Sequence, residues 1–213
     1  MGLNEFIFLL VGLKWTVFLS AIGFACGGIT GLGVALARTS GIPVLERVTA
    51  GYIALFQGTP LLMQLFVVYY GLALMGLRLD AWVAVAIGFT LHASAYLGEI
   101  WRGAIEAVPR GQTEAAKALS LKYVSRMKDV ILPQALRISL PATIGFLVQL
   151  IKGTSLAAIV GFTELARAGS IVSNQIFEPL TVFGIVGALY FAMCWPLSLY
   201  GAHLESRFAA ATR

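Results

Sequence analysis

The chain has 213 residues, 59% of them hydrophobic and only 12% charged, with a formal net charge of +5. That balance excludes an ordinary water-soluble domain, in which roughly 25% of residues are charged, and points to an all-helical chain embedded in a membrane. In so apolar a protein a small basic excess records orientation in the bilayer rather than affinity for nucleic acid, and no nucleic-acid partner is expected. Cys26 and Cys194 lie within apolar runs and read as free thiols. The opening MGLNEFIFLL carries an acid and no basic region, so no removable leader is expected.

A membrane helix needs ~20 mostly apolar residues. Five stretches qualify: 15–37, 48–74, 81–101, 138–159 and 180–203. The first repeats small residues every four positions, at Gly23, Gly27, Gly31 and Ala35, a stripe that lets a second helix approach closely. In the second, Gln57, Thr59 and Gln64 surround Pro60, which removes one helix hydrogen bond and leaves a carbonyl without its usual partner. A hinge and a plain kink both fit that pattern. The third holds His92 and Ser94 deep in the span, where an imidazole is either packed and neutral or a ligand group. Near its end Glu99 and Arg102 stand three apart, the spacing of a structural helix ion pair.

Between the third and fourth spans the segment RGQTEAAKALSLKYVSRMKDVILPQALR, residues 110–137, carries six basic residues against Glu114 and Asp129. Helical spacing predicts two short amphipathic helices, one gathering Ala115, Ala118 and Leu119, the other Val124, Met127 and Ile131. Pro133 is expected to stop the second helix before the next span begins. By composition alone the pair is either wedged against the headgroups or a docking element for another protein. On the fourth span Gln149 and Lys152 share a face, followed by Thr154 and Ser155, a set able to meet a carboxylate. The alternative for Lys152 is a side chain snorkelling to the headgroups.

Five spans place the two ends of the chain on opposite sides. With the N-terminus outside, Arg38, Arg47, Arg102, Arg110, Lys117, Lys122, Arg126, Lys128, Arg137, Arg207 and Arg213 fall inside. Only Lys14, Arg78 and Arg167 fall outside, which makes eleven against three and satisfies the positive-inside rule. Residues 1–213 read as one transmembrane domain, and five helices are few to enclose a solute path, so oligomerisation is expected. No metal-ligand motif, hydrolase signature or nucleotide-binding G-x-x-x-x-G-K-[ST] occurs, and KGTS at 152–155 has neither the spacing nor the order of the last. An ion-coupled carrier would favour inverted repeats and a coupling acid within a span, neither of which is evident.

Glu114, Ala115 and Ala116, followed at the right distance by Leu132 and Pro133, resemble the E-A-A-x-x-x-G, nine residues, I-x-L-P signature of permease subunits of bacterial ABC importers. Ser120 stands in the glycine place and Val130 in the isoleucine place. Serine tolerates a left-handed turn poorly, so a slightly different turn is expected. The wider resemblance is to the polar amino-acid uptake permeases of the histidine, glutamine and glutamate group. It is carried by GLKWTVFLS at 12–20, FQGTPLLMQLF at 56–66, AYLGEIWRGAIEAVPRGQ at 95–112 and LIKGTSLAAIVGFTELARA at 150–168. That family commonly has Glu and Arg at the places of Ala54 and Gln57, and Asp at the place of Gly153.

The resemblance implies a type I ABC importer permease fold in the bacterial inner membrane. Residues 110–137 would form a cytoplasmic coupling segment in which Gly111, Glu114, Ala115, Ala116, Ser120, Leu132 and Pro133 meet the ATPase. Its implied partners are an ATP-binding dimer that uses ATP and Mg, a second permease chain and an extracytoplasmic amino-acid-binding protein. This chain itself would bind no cofactor and catalyse nothing. Lys152 without the usual Asp leans the solute toward acidic or neutral polar amino acids.

Overall fold

The computed structural model describes residues 1–210, and Arg213 lies outside them. Helix α1 spans Leu3–Arg38 and begins well before the expected Trp15. The run FIFLLVGL is as apolar as the rest of the helix, and the Gly2 amide donates to the Glu5 carboxylate at 2.7 Å to seal the first turn. Lys14 therefore lies on the helix rather than in a flanking segment. At ~1.5 Å per residue the helix is about 54 Å long, well beyond a hydrocarbon core of ~30 Å.

The second span is broken rather than continuous. Helix α2, Pro43–Gln57, ends at Gly58, and α3, Leu61–Phe66, starts after Pro60 at 103° to it. From α3 the chain widens into a π turn, Val67–Gly71, and closes with α4, Leu72–Leu74. Helix α5, Ala81–Ala107, carries the third span beyond its expected end at Trp101. Two residues then lead to α6, Arg110–Ala118.

Pro133 does not stop the second of the short helices. Helix α7, Tyr123–Ser125, runs through a π turn, Arg126–Ile131, into α8, Leu132–Gly153, without interruption. The wide turn relieves the clash that the proline ring makes with a carbonyl one turn earlier in a tight helix. A 3₁₀ segment, Thr154–Val160, extends α8. Helix α9, Leu165–Ile176, lies between the fourth and fifth predicted spans, and α10, Pro179–Ala210, forms the last span. Among the described residues four helices are long and apolar enough to cross a membrane, and the bent α2–α4 unit makes a fifth if it is counted as one span.

The main seam lies between α1 and α5. Gly23, Gly27, Gly31 and Ala35 are all buried. A Cβ at Gly31 would stand 3.0 Å from the Ser94 carbonyl oxygen and 3.2 Å from the Gly98 nitrogen, and one at Gly27 would collide with Ala93. The small residues on both helices thus bring two backbones together, a contact that dispersion rewards where lipid leaves no hydrophobic driving force. Around the seam, Leu19, Leu65, Phe89, Leu97, Phe146 and Leu150 form the central core. A second cluster, with Leu9, Leu165, Val172, Val182 and Val186, joins α1, α9 and α10. A third, with Ala104, Val108, Met127, Ile131 and Ala135, ties the end of α5 to the π turn and α8.

Gly27→Leu is expected to destabilise the chain by about 1–3 kcal/mol, because the seam has no room for a side chain. Gly33→Leu, on a face with no atom within 4 Å, is the control. Thermal unfolding in detergent, followed by tryptophan fluorescence, checks the difference; equal midpoints would contradict the seam.

Candidate functional site

The segment of residues 110–137 projects from the ends of α5 and α8. Helix α6 closes with the Leu121 amide donating to the Ala116 carbonyl at 3.0 Å and the Ser120 amide to that of Lys117 at 2.8 Å. These are the paired bonds of a Schellman cap, which needs a left-handed residue at its centre. Ser120 supplies it with φ of 59°. The turn is therefore the one a glycine would make, not the altered one expected from serine. The cap bonds hold it against the intrinsic cost of placing a Cβ in that region, ~1–2 kcal/mol.

The outward faces of these short helices also differ from the expected ones. Ala116 is the residue of α6 turned into the body, while Leu119 is 75% exposed and Val124 is 72% exposed. Met127 and Ile131 are buried as the spacing predicts. The short link to α5 and the cap fix the rotation of α6, and no periodicity argument contains either constraint. Gly111, Glu114 and Ala115 are exposed on the same projecting element, as is Pro133 at the start of α8, and Leu132 is half-buried. Gln134 on α8 donates to the Val130 carbonyl at 2.8 Å and reaches Gln112 on α6 at 3.4 Å, bridging the two helices.

At the break in the second span the structure gathers Thr59, Gln64 and His92. The Gln64 amide nitrogen donates to the carbonyls of Phe56, at 2.7 Å, and Thr59, at 3.0 Å, and lies 3.0 Å from the Thr59 hydroxyl oxygen. Phe56 is the residue whose helix bond Pro60 removes, so a buried side chain replaces the lost backbone donor. With the amide so oriented, Gln64 Oε1 accepts from His92 Nδ1 at 3.0 Å. The imidazole in turn lies tilted against Tyr96, which stacks on Phe146 of α8. A cavity of about 300 Å³ opens beside this knot, walled by Phe56, Met63, Val68 and Leu91, with Thr59 and Gln64 as its polar members.

Ser94 does not join this group. Two positions from His92 it points across the helix, into a hydrogen bond with Tyr52 of α2 at 2.5 Å and another with the Leu91 carbonyl. Gln57 is exposed at the end of α2, away from the cavity lining. On α8, Gln149 and Lys152 are exposed, with Lys152 near Cys194 of α10. Thr154 is fully buried, its hydroxyl donating to the Ile151 carbonyl at 2.7 Å, and Ser155 donates to Lys152's carbonyl at 2.8 Å. The two hydroxyls thus close the end of α8 rather than face the same solute as Lys152. Glu99 and Arg102 form a two-pronged ion pair at 2.6 and 2.8 Å, and Arg102 also holds Glu106.

One buried acid escaped the sequence reading. Glu164 is fully inaccessible and caps α9, accepting from the amides of Ala166 and Arg167 at 2.8 Å each. Tyr190 of α10 donates to it at 2.8 Å, and the Leu165 amide donates to Thr16 of α1 at 3.1 Å. A carboxylate at a helix N-terminus is stabilised by the free amides and the helix dipole. The signal in the sequence was a single acid between the apolar runs around 156–162 and the helical pattern that begins at Leu165.

These features define a multi-pass helical membrane protein with one short helical element projecting between two of its spans. The chain belongs to the family described as the binding-protein-dependent transport system inner membrane component, which it matches over residues 27–209. It is 34% identical to the probable amino-acid ABC transporter permease YckA of Bacillus subtilis strain 168, across 98% of this chain and 92% of YckA. The L-cystine transport system permease TcyB of the same organism is 36% identical across 92% of this chain and 84% of its own. A crystal structure of an amino acid ABC transporter with histidines superposes with a TM-score of 0.88 at 32% identity, covering 96% of this chain and 95% of that one. The inward-facing MetNI methionine ABC transporter shares the fold, with a TM-score of 0.77 at 20% identity and coverage of 97% and 99%.

Ser120→Gly is expected to stabilise the α6 turn by about 1 kcal/mol, slowing hydrogen exchange at the Leu121 amide; unchanged exchange would contradict strain at Ser120. Glu164→Ala strips two helix amides and Tyr190 of their acceptor and is expected to cost on the order of 3 kcal/mol. Denaturation of the purified chain reads that loss.

Proposed function

We propose that this chain is the permease subunit of an ATP-driven, binding-protein-dependent importer of polar amino acids, with residues 110–137 facing the cytoplasm and the N-terminus outside. The observation that carries this reading is the projecting element itself. Its outer surface offers Glu114 beside exposed Ala115, Leu119 and Val124. A partner covering it gains apolar area from Leu119 and Val124 and a charged contact from Glu114, while the small Ala115 permits close approach. The comparisons support the class of solute, since relatives that share a third of their residues with this chain are named for amino acids.

In this reading the partner is an ATPase dimer, a separate polypeptide that uses ATP and Mg, and a second permease chain completes the path. A binding protein delivers the amino acid from outside. The mechanical route comes from the fold. Helix α6 is joined to α5 through two residues and to α8 through a short turn and a continuous helix. Displacement of α6 therefore moves the ends of both spans, which the cluster of Val108, Met127 and Ile131 locks to each other. Closure of the ATPase drives the spans one way and relaxation the other, provided that partners bind the two states with different affinity.

The broken span supplies the path in this reading, with Thr59, Gln64 and His92 presenting polar groups beside the cavity at the α2–α3 break. Lys152, exposed near the end of α8 next to Gly153, favours an acidic or neutral polar solute such as glutamate, aspartate or glutamine.

The test assembles the chain with its ATPase, permease partner and binding protein in lipid and follows ATP hydrolysis as amino acids are added singly. One polar amino acid is expected to stimulate hydrolysis. Glu114→Lys reverses a docking charge worth ~2–5 kcal/mol and is expected to cut that stimulation by about tenfold or more, with the membrane subunits still assembled. Hydrolysis indifferent both to every amino acid and to Glu114→Lys would overturn the reading.

A further inference from the structure

A second cavity, of about 430 Å³, lies at the end of the molecule that carries residues 110–137, between α1, α5 and the start of α8. Its walls are apolar, formed by Leu32, Trp101, Ile105, Leu132 and Leu136, and Leu32 and Leu136 are themselves exposed on the outer surface of the helices. The one charged group on its lining is Lys128, from the π turn that precedes α8. Lys128 is exposed and forms no ion pair among the described residues. The one hydroxyl in the wall, that of Ser139, already donates to the Leu136 carbonyl at 3.0 Å.

We propose that this groove is a binding site for an anionic phospholipid of the adjoining leaflet, its acyl chain against the apolar walls and its phosphate on Lys128. Three properties of the site select that occupant. A dry wall with no free hydrogen-bonding group fits a hydrocarbon chain and gives nothing to orient a zwitterionic amino acid, whose two charges each need a partner. The single ammonium on the lining belongs to an exposed, flexible lysine, which can reach the headgroup level while its stem covers apolar surface. Trp101, anchored by its indole nitrogen donating to the Thr143 hydroxyl at 3.0 Å, shares the lining and is of a residue type favoured at membrane interfaces. Arg126 and Arg137 on neighbouring turns add positive potential, against Asp129 as the one acid within residues 126–137, and basic pockets between helices near the cytoplasmic surface attract anionic headgroups.

The site bears on coupling because Lys128 and Leu132 belong to the continuous helix that links α7 to α8. A lipid seated there touches α1, α5 and α8 at once and favours the arrangement in which they stay close. The assignment to the cytoplasmic leaflet rests on the orientation proposed above, whereas binding itself is measured independently of transport.

The experiment purifies the assembled transporter into nanodiscs of equal parts phosphatidylethanolamine and phosphatidylglycerol, then extracts it gently and quantifies retained lipid by native mass spectrometry. The parent complex, Lys122→Gln and Glu114→Lys are expected to keep phosphatidylglycerol over phosphatidylethanolamine. Lys128→Gln removes one charge at the membrane surface and is expected to lower that preference about fivefold. Leu136→Trp fills the groove and is expected to abolish retention there. Equal retention in all variants, or no preference for the anionic lipid, overturns the site. So does a photocrosslinker at position 136 that captures a partner subunit instead of lipid. Glu114→Lys separates the two ideas, since loss of its ATPase coupling leaves the lipid in place.

Discussion

In the hydrocarbon core no water is at hand for a carbonyl or amide freed from a helix, so each must find its partner within the chain. This chain interrupts its helices at several places, and at two of them the same solution appears. Where Pro60 leaves the Phe56 carbonyl unpaired, the Gln64 side chain takes it. Where α9 begins with free amides, the buried Glu164 accepts from two of them. The polar residues that a membrane chain keeps inside are thus largely engaged in backbone repair, and only the capacity left over is free for a solute.

That accounting reorders the candidates for the path. Thr154, Ser155 and Ser94 spend their hydroxyls on carbonyls or on Tyr52, and their polarity is satisfied locally. Gln64 is equally occupied, yet it sits on a cavity and shares its oxygen with His92, so the break in the span and the polar group beside it are one feature. A broken helix costs backbone bonds, and the side chain that replaces them brings polarity to the middle of an apolar wall. The same trade appears where half-helices surround solute sites in membrane carriers.

The close seam between α1 and α5 gives the molecule a rigid spine, and the bent second span and the projecting α6 are attached to it. Small residues face each other across that seam, leaving few side chains to shear. The helices are interrupted instead at the α2–α3 break, in the two π turns and at the Ser120 cap. Rigid elements joined at a few strained or irregular places can move between discrete arrangements.

That the chain forms apolar helices of span length, four or up to five among the described residues, was legible in the sequence, because apolar length is a local property. The glycine stripe announced a close helix contact for the same reason, although not its partner. The sequence could not place Glu164, whose role needs Tyr190 and Thr16 brought from distant helices. Nor could it say that Leu119 and Val124 point outward, since the rotation of α6 is set by its tether to α5 and by the cap at Ser120. The left-handed serine contradicts the residue's own preference and is held by two hydrogen bonds that exist only once α6 has formed. The sequence by itself thus determined which stretches are apolar and long enough to cross a membrane and which carry the charge. Tertiary structure decided which polar groups are consumed by broken backbone and which remain to meet a partner, because that depends on which helices lie side by side.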